Sequence, residues 1–241
     1  ASDESNALAI RGADTHVTLK GETEGSMVSA NGESSPAVYV TEGASVTIES
    51  GTYTSCNYMA VNNDTDYSVA IIDGVFESTS SYAIGNWGDL VIKGGTFTSA
   101  ESYATVYYGD GSINLSEYDN IMDISISSWI DPSFIPSAKT ILLPEGYCFF
   151  DSEGDPVSAI MYSMYCSIGE EPETKYTITF AAGDGEGEMA DGISYGKYSL
   201  PECTFTAPEG MMFKAWQIGE DEYQPGDDVT IEANTTITAV W

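Results

Sequence analysis

The sequence predicts an all-β protein, a short β-helix of about five stacked coils closed by a β cap and followed by a small separate β module. Three observations carry that prediction. Segments of about 22 residues recur through the first half of the chain, each holds an alternating apolar strand with no helical period, and the chain from Tyr176 onward has its own alternating strands and aromatic anchors.

Four segments superpose: AVYVTEGASVTIESGTY from Ala37, AVNNDTDYSVAIIDGVF from Ala60, AIGNWGDLVIKGGTF from Ala83 and ATVYYGDGSINL from Ala104, with starts spaced 23, 23 and 21 residues. A fifth, AIRGADTHVTLKG from Ala9, precedes the next start by 28 residues and carries an insertion around Ser26 to Pro36. In each copy a short apolar piece leads through a polar turn to an alternating strand, with Val46/Ile48, Val69/Ile71, Leu90/Ile92 and Ile113/Leu115 on one face. Three copies then show a glycine (Gly51, Gly74, Gly95) and, two positions later, an aromatic (Tyr53, Phe76, Phe97). The glycine marks a tight bend, after which the aromatic points inward. One such coil has too little core to hold itself together. Burying an apolar side chain contributes roughly 1.5 to 3 kcal/mol, so a coil is stable only when neighbours about 4.8 Å away cover both of its open faces.

Over residues 7 to 128 this pattern resembles the right-handed parallel β-helix proteins of the pectin-lyase-like class. The resemblance rests on the repeat and is nearly silent about function, since that fold hosts lyases, hydrolases, phage tailspikes and adhesins.

After Asp119 the rhythm breaks. IMDISISSW and KTILLPEGYCFFDSEGDPVS read as strands, the latter turning at Asp151 to Gly154, and residues 119–170 are expected to cap the last coil and block strand-edge pairing. The first domain is thus 1–170, GEEPE (169–173) reads as a charged linker, and 171–241 is a second domain. In that domain Tyr176-x-x-x-Phe180, then Pro208-x-Gly210-x-x-Phe213-x-x-Trp216, then Thr236-x-x-Ala239-x-Trp241 follow in an order that closely resembles the internalin-type B repeat, or Listeria-Bacteroides repeat. The resemblance implies a small β-grasp-like fold used as a spacer or interaction module in bacterial cell-surface and secreted proteins. The residues agree with a small β core: Tyr176/Ile178/Phe180 and Ile231/Ile237/Ala239 form apolar faces, with Phe213, Trp216 and Trp241 as large anchors.

Composition narrows the function. Thirty-eight acidic against seven basic residues give a net charge of −31, a field that repels nucleic acid, anionic membranes and acidic polysaccharides. No stretch reaches the roughly 18 apolar residues of a membrane span. The opening ASDESNALA lacks an initiating Met and an apolar signal core and reads as a mature or trimmed chain. LPECT at Leu200 has neither the final glycine nor the apolar tail of a sortase signal. Cys56, Cys148, Cys166 and Cys203 form no C-x-x-C pair and His16 is the single histidine, so a transition-metal centre is not expected. Cys148 and Cys166 are spaced either for one disulfide or for two buried thiols.

Catalysis finds little support. The positions before the bend read Glu49-Ser50, Ile72-Asp73 and Lys93-Gly94, which puts no two carboxylates next to each other on adjacent coils, as a glycosidase requires. Of the coil cations Arg11, Lys20 and Lys93, the two lysines share a register but stand three coils, roughly 14 Å, apart. No nucleophilic serine turn is present. No catalytic residue is therefore expected, the alternative being a carbohydrate-active lyase or hydrolase. The polar turns are more suggestive: Asn63, Asp64, Asp66 and Tyr67, then Asn86, Trp87 and Asp89, then Tyr108 and Asp110 would stack into a stripe of carboxylates beside aromatic rings. Aromatic faces pack on the C–H patches of neutral sugars while carboxylates and amides take hydroxyl hydrogen bonds. Paired carboxylates at coil spacing also suit Ca²⁺, and Asn, Asp and Gly favour turns without any ligand. The resulting expectation is a monomeric, extracellular or surface-located bacterial adhesin-like chain with a glycan or surface-protein partner, no required cofactor, no nucleic acid and no membrane insertion.

Overall fold

Strands of three or four residues, each ended by a glycine or a polar turn, are too short to persist alone, and stacking supplies what they lack. The computed structural model describes residues 6–21, 26–64, 67–128, 141–157 and 165–241. The chain divides into two compact units, the second containing Glu171–Trp241.

In the first unit each coil contributes one strand to each of three walls. The first coil holds β1 (Leu8–Arg11), β2 (His16–Leu19) and β3 (Met27–Ala30), and the second β4 (Val38–Thr41), β5 (Ser45–Ile48) and β6 (Thr52–Ser55). The third holds β7 (Val61–Asn63), β8 (Ser68–Ile71) and β9 (Val75–Ser78), and the fourth β10 (Ile84–Asn86), β11 (Asp89–Ile92) and β12 (Thr96–Thr98). A fifth contributes β13 (Val106–Tyr108) and β14 (Ser112–Asn114). The first wall runs β1-β4-β7-β10-β13, the second β2-β5-β8-β11-β14 and the third β3-β6-β9-β12, all parallel. This is a right-handed parallel β-solenoid of about four full turns.

Inward residues form vertical files. Val46, Val69, Leu90 and Ile113 pair in register on the second wall, and Val38, Val61, Ile84 and Val106 on the first, all of them buried. On the third wall Tyr53, Phe76 and Phe97 stack with ring centroids 5.2 and 5.1 Å apart and interplanar angles of 10° and 11°. The bends before them are in the left-handed region, with φ of 120° at Gly51, 141° at Gly74 and 111° at Gly95. A side chain at Gly74 would also press on the Gly51 carbonyl oxygen of the coil below.

Two registers differ from the repeat alignment. Ile84 pairs with Val106, so the fifth coil starts one residue later than Ala104, and Leu8 pairs with Val38, so the first starts two residues earlier than Ala9. The cap also begins later than expected. β15 (Ser125–Ser128), reached through a 3-10 turn at Ile121–Asp123, continues the first wall in parallel with β13, and β16 (Ile141–Leu142) continues the second alongside β14. Beyond β17 (Tyr147–Phe150) and the short β18 (Pro156–Val157), β19 (Tyr165–Glu170) runs antiparallel to both β15 and β17 and ends the parallel stacking. Its last two residues, Gly169 and Glu170, lie in the strand, where the sequence reads as linker. Trp129, Lys139, Thr140 and Ser158 of the expected cap strands lie outside the described residues. Cys148 faces Gly169 and Cys166 faces Ile126, so the two sulfurs sit three positions apart along paired strands. That offset of roughly 10 Å is too long for a disulfide.

The second unit is a mixed sheet. Its strands are β20 (Tyr176–Ala181), β21 (Gly192–Ser194), β22 (Lys197–Ser199), β23 (Ala215–Ile218), β24 (Asp221–Tyr223), β25 (Asp228–Thr230) and β26 (Thr235–Val240). The order is β21-β20-β26-β23-β24 with the central β20–β26 pair parallel, and β22 pairs with β25. Trp216 is fully buried at the centre of Ile178, Phe180, Leu200, Phe205 and Ile237, and its indole N–H donates to the Pro201 carbonyl at 2.8 Å. Trp241 is held similarly by the Ala182 carbonyl.

Candidate functional site

The corner between the first and second walls holds the residues singled out in the turns, and they separate into two sets. Asn63 and Asn86 are fully buried. The Asn63 amide donates to Asn86 Oδ1 at 2.8 Å and to the Asp89 carbonyl at 3.1 Å, and the Asn86 amide donates to the carbonyls of Gly88 (2.8 Å), Asp110 (3.1 Å) and Ser112 (3.3 Å). These two side chains face the interior and tie three successive turns together. Tyr108 continues their file, buried, with its hydroxyl donating to the Gly111 carbonyl at 3.0 Å. Asp64, Tyr67, Trp87 and Asp110 are half-buried at the surface and Asp89 is exposed, accepting from Ser112 Oγ. Asp66 lies outside the described residues.

The solvent side of the first wall is the more organised surface. Strand alternation places Tyr39, Asn62, Gly85 and Tyr107 outward in one file, register neighbours on successive coils. Aromatic side chains gather around the upper part of that file. Tyr107 lies 5.0 Å from Tyr82 and 5.1 Å from Trp87 between ring centroids, and Tyr82 meets Tyr103 edge-on at 4.9 Å. The four rings make a continuous row across the fourth and fifth coils. Trp87 can lie down because its neighbours lack side chains: a Cβ at Gly109 would overlap the indole, and one at Gly85 would overlap both Trp87 and the Met59 sulfur.

Below the row a carboxylate is fixed. Asp64 Oδ2 accepts from the Tyr39 hydroxyl at 2.8 Å and from Thr41 Oγ1 at 3.2 Å. Burial, followed by the Asp64 charge, pushes the Tyr58 hydroxyl above its ordinary value, and Tyr39 is raised by burial and by its bond to Asp64. Tyr107 is raised by burial, with Tyr82 and Tyr58 adding to the shift. These hydroxyls stay protonated well into the alkaline range and remain available as hydrogen-bonding groups.

Tyr39, Tyr58, Tyr82, Tyr103 and Tyr107 were not among the residues expected from the turns. For Tyr39 and Tyr107 the signal is the outward position inside the first strand of the repeat, whereas Tyr58, Tyr82 and Tyr103 stand just before that strand in their coils. The one-residue slip in the fifth coil exchanges Tyr107 for Tyr108, since a shift of one reverses every side chain of a strand. The coil lysines, by contrast, are engaged in exposed ion pairs, Lys20 with Glu49 at 3.4 Å and Lys93 with Glu117 at 2.9 Å. Among the described residues no three His, Cys, Asp or Glu side chains converge as metal ligands, and no helix is long and apolar enough to cross a membrane. A comparison with family models, with curated proteins and with solved structures finds no match to this chain.

Proposed function

We propose that this chain is a non-catalytic, secreted or cell-surface adhesin-like bacterial protein whose first wall binds glycan, with sugar rings packing on Tyr82, Trp87, Tyr103 and Tyr107. The observation that carries the reading is the continuous row of four rings on the outside of a rigid wall, at centroid spacings of 4.9 to 5.1 Å. The rings stabilise the wall by packing on one another, and their outer edges and faces also suit sugars, which present C–H patches to aromatic rings and hydroxyls to flanking groups such as the Asp64 carboxylate and the tyrosine hydroxyls. Stacked coils suit this task because each wall is held by its neighbours and needs no reorganisation on binding.

The surface assignment is supported by the motif order in the second unit, which we read as an internalin-type B repeat of β-grasp-like fold, and by the pectin-lyase-like repeat pattern of the first. A net charge of −31 restricts the glycan to neutral or positively charged kinds. The test is a glycan array followed by calorimetric titration of the best hits. Trp87→Ala and Tyr107→Ala should each weaken binding about tenfold, the loss of roughly 1.4 kcal/mol of ring contact. An empty array, or hits that both variants bind as tightly as the parent chain, would remove the ring row as a binding site. Release of reducing ends or unsaturated products from any hit would replace this reading with the enzymatic one.

A further inference from the structure

Resting on the glycan reading, we infer that the ring row selects an amino sugar polymer, a glycan whose sugar rings carry free ammonium groups. The charge around the row is predominantly negative. The faces of Tyr82, Tyr107 and Trp87 carry the negative lobe of the aromatic quadrupole, which attracts an ammonium lying over them. Asp64, fixed by Tyr39 and Thr41, places a carboxylate on the coil directly below Trp87, its register neighbour through the Asn63–Asn86 pairing. The coil lysines lie away from the row. Lys20 and Lys93 follow the second-wall strands and pair with Glu49 and Glu117, while Arg11, in register with Thr41 and acting on Tyr39, lies at the far end of the face, beyond Asp64 from the rings. Around all of this lies a net charge of −31.

A neutral sugar gains only ring packing and hydroxyl hydrogen bonds from this surface. An amino sugar gains the same contacts and adds attraction to the rings, to Asp64 and to the field of the chain. An acidic sugar loses by all three. A lysine-rich peptide would share the charge complementarity, but its aliphatic stems lack the C–H face that a sugar ring lays on an aromatic ring.

The experiment compares β-1,4-linked glucosamine oligomers with N-acetylglucosamine oligomers of equal length, titrated into the full chain at low ionic strength and again near 1 M salt. The inference predicts that the glucosamine oligomer binds roughly tenfold or more tightly at low salt and that the ratio falls towards one at 1 M, where the screening length is only about 3 Å. Tyr107→Ala weakens both oligomers, and Asp64→Asn lowers the ratio between them. Equal affinity, or tighter binding of the acetylated oligomer, overturns the inference while leaving the glycan reading in place. A ratio retained in full by Tyr107→Ala also overturns it, because the preference would then come from net charge alone. Binding of neither oligomer overturns the inference, and the glycan reading falls with it only if the wider array is empty too.

Discussion

Two asparagines on the same wall, one turned inward and one outward, are predicted to respond very differently to the same substitution. Asn86→Ala deletes three donated hydrogen bonds, to the carbonyls of Gly88, Asp110 and Ser112, and the acceptor that receives the Asn63 amide. Gly88 O keeps the backbone amide of Ser112 at 3.0 Å, so its loss is partial. At about 1 kcal/mol net per bond, with a further penalty for carbonyls left dry, the cost is about 3 to 4 kcal/mol. The damage falls on the interfaces both below and above the fourth coil, which in a solenoid are the units of stability. Asn62→Ala removes a side chain whose Oδ1 is buried and accepts no hydrogen bond among the described residues, so the change should stay within about 0.5 kcal/mol. Urea denaturation followed by circular dichroism, extrapolated linearly for both variants, measures the difference. A loss below about 1 kcal/mol for Asn86→Ala, or a loss above about 2 for Asn62→Ala, would refute the reasoning that assigns inward and outward positions.

Three further outcomes are expected. Phe76→Ala, at a fully buried position stacked on both Tyr53 and Phe97, should cost about 3 to 5 kcal/mol in the same assay, and a cost near that of an exposed residue would deny the aromatic file. Burial, aided by the Asp151 charge, raises the Cys166 thiol to about 12, so a maleimide at pH 8 should label exposed Cys56 in the native chain and leave Cys166 until unfolding, as peptide mass spectrometry would show. In the second unit, hydrogen bonds from Lys175 and then Tyr195 hold the Glu171 carboxyl below its ordinary value. Because the folded value is the lower one, the contribution is fully present above the unfolded value of about 4.3 and is lost as pH falls through the folded one. Glu171→Gln should therefore flatten the acid limb of the stability profile below that pH, and an unchanged limb would contradict the assignment.

The interior of the solenoid was largely written in the repeat. Val46, Val69, Leu90 and Ile113 alternate with polar residues and are followed by a glycine and an aromatic in three copies, a pattern that admits one face inward. The exterior was harder to read because it depends on register to a single residue. The fifth copy has a turn of its own, Gly109-Asp110-Gly111, and lacks the glycine–aromatic marker, so its alignment slipped and Tyr108 stood in for Tyr107. Asn63 and Asn86 were visible as turn formers, yet their burial follows from hydrogen bonds to carbonyls on the next coil, contacts that no local pattern reveals. β15 and β16 read as cap strands and not as continuations of the walls for a similar reason. They keep the inward residues Ile126 and Ile141 of their walls but have lost the bend that announces a coil.

The most direct test of the central claim is amide and aromatic shift mapping by nuclear magnetic resonance while glucosamine oligomers and the neutral hits of the array are titrated into the chain. The account predicts that perturbations gather on Tyr82, Trp87, Tyr103 and Tyr107, fade along the file through Asn62 to Tyr39, and spare the outward residues Thr47, Ala70 and Val91 of the second wall. Shifts confined to the second wall or to the second unit, with the ring row silent, would contradict it.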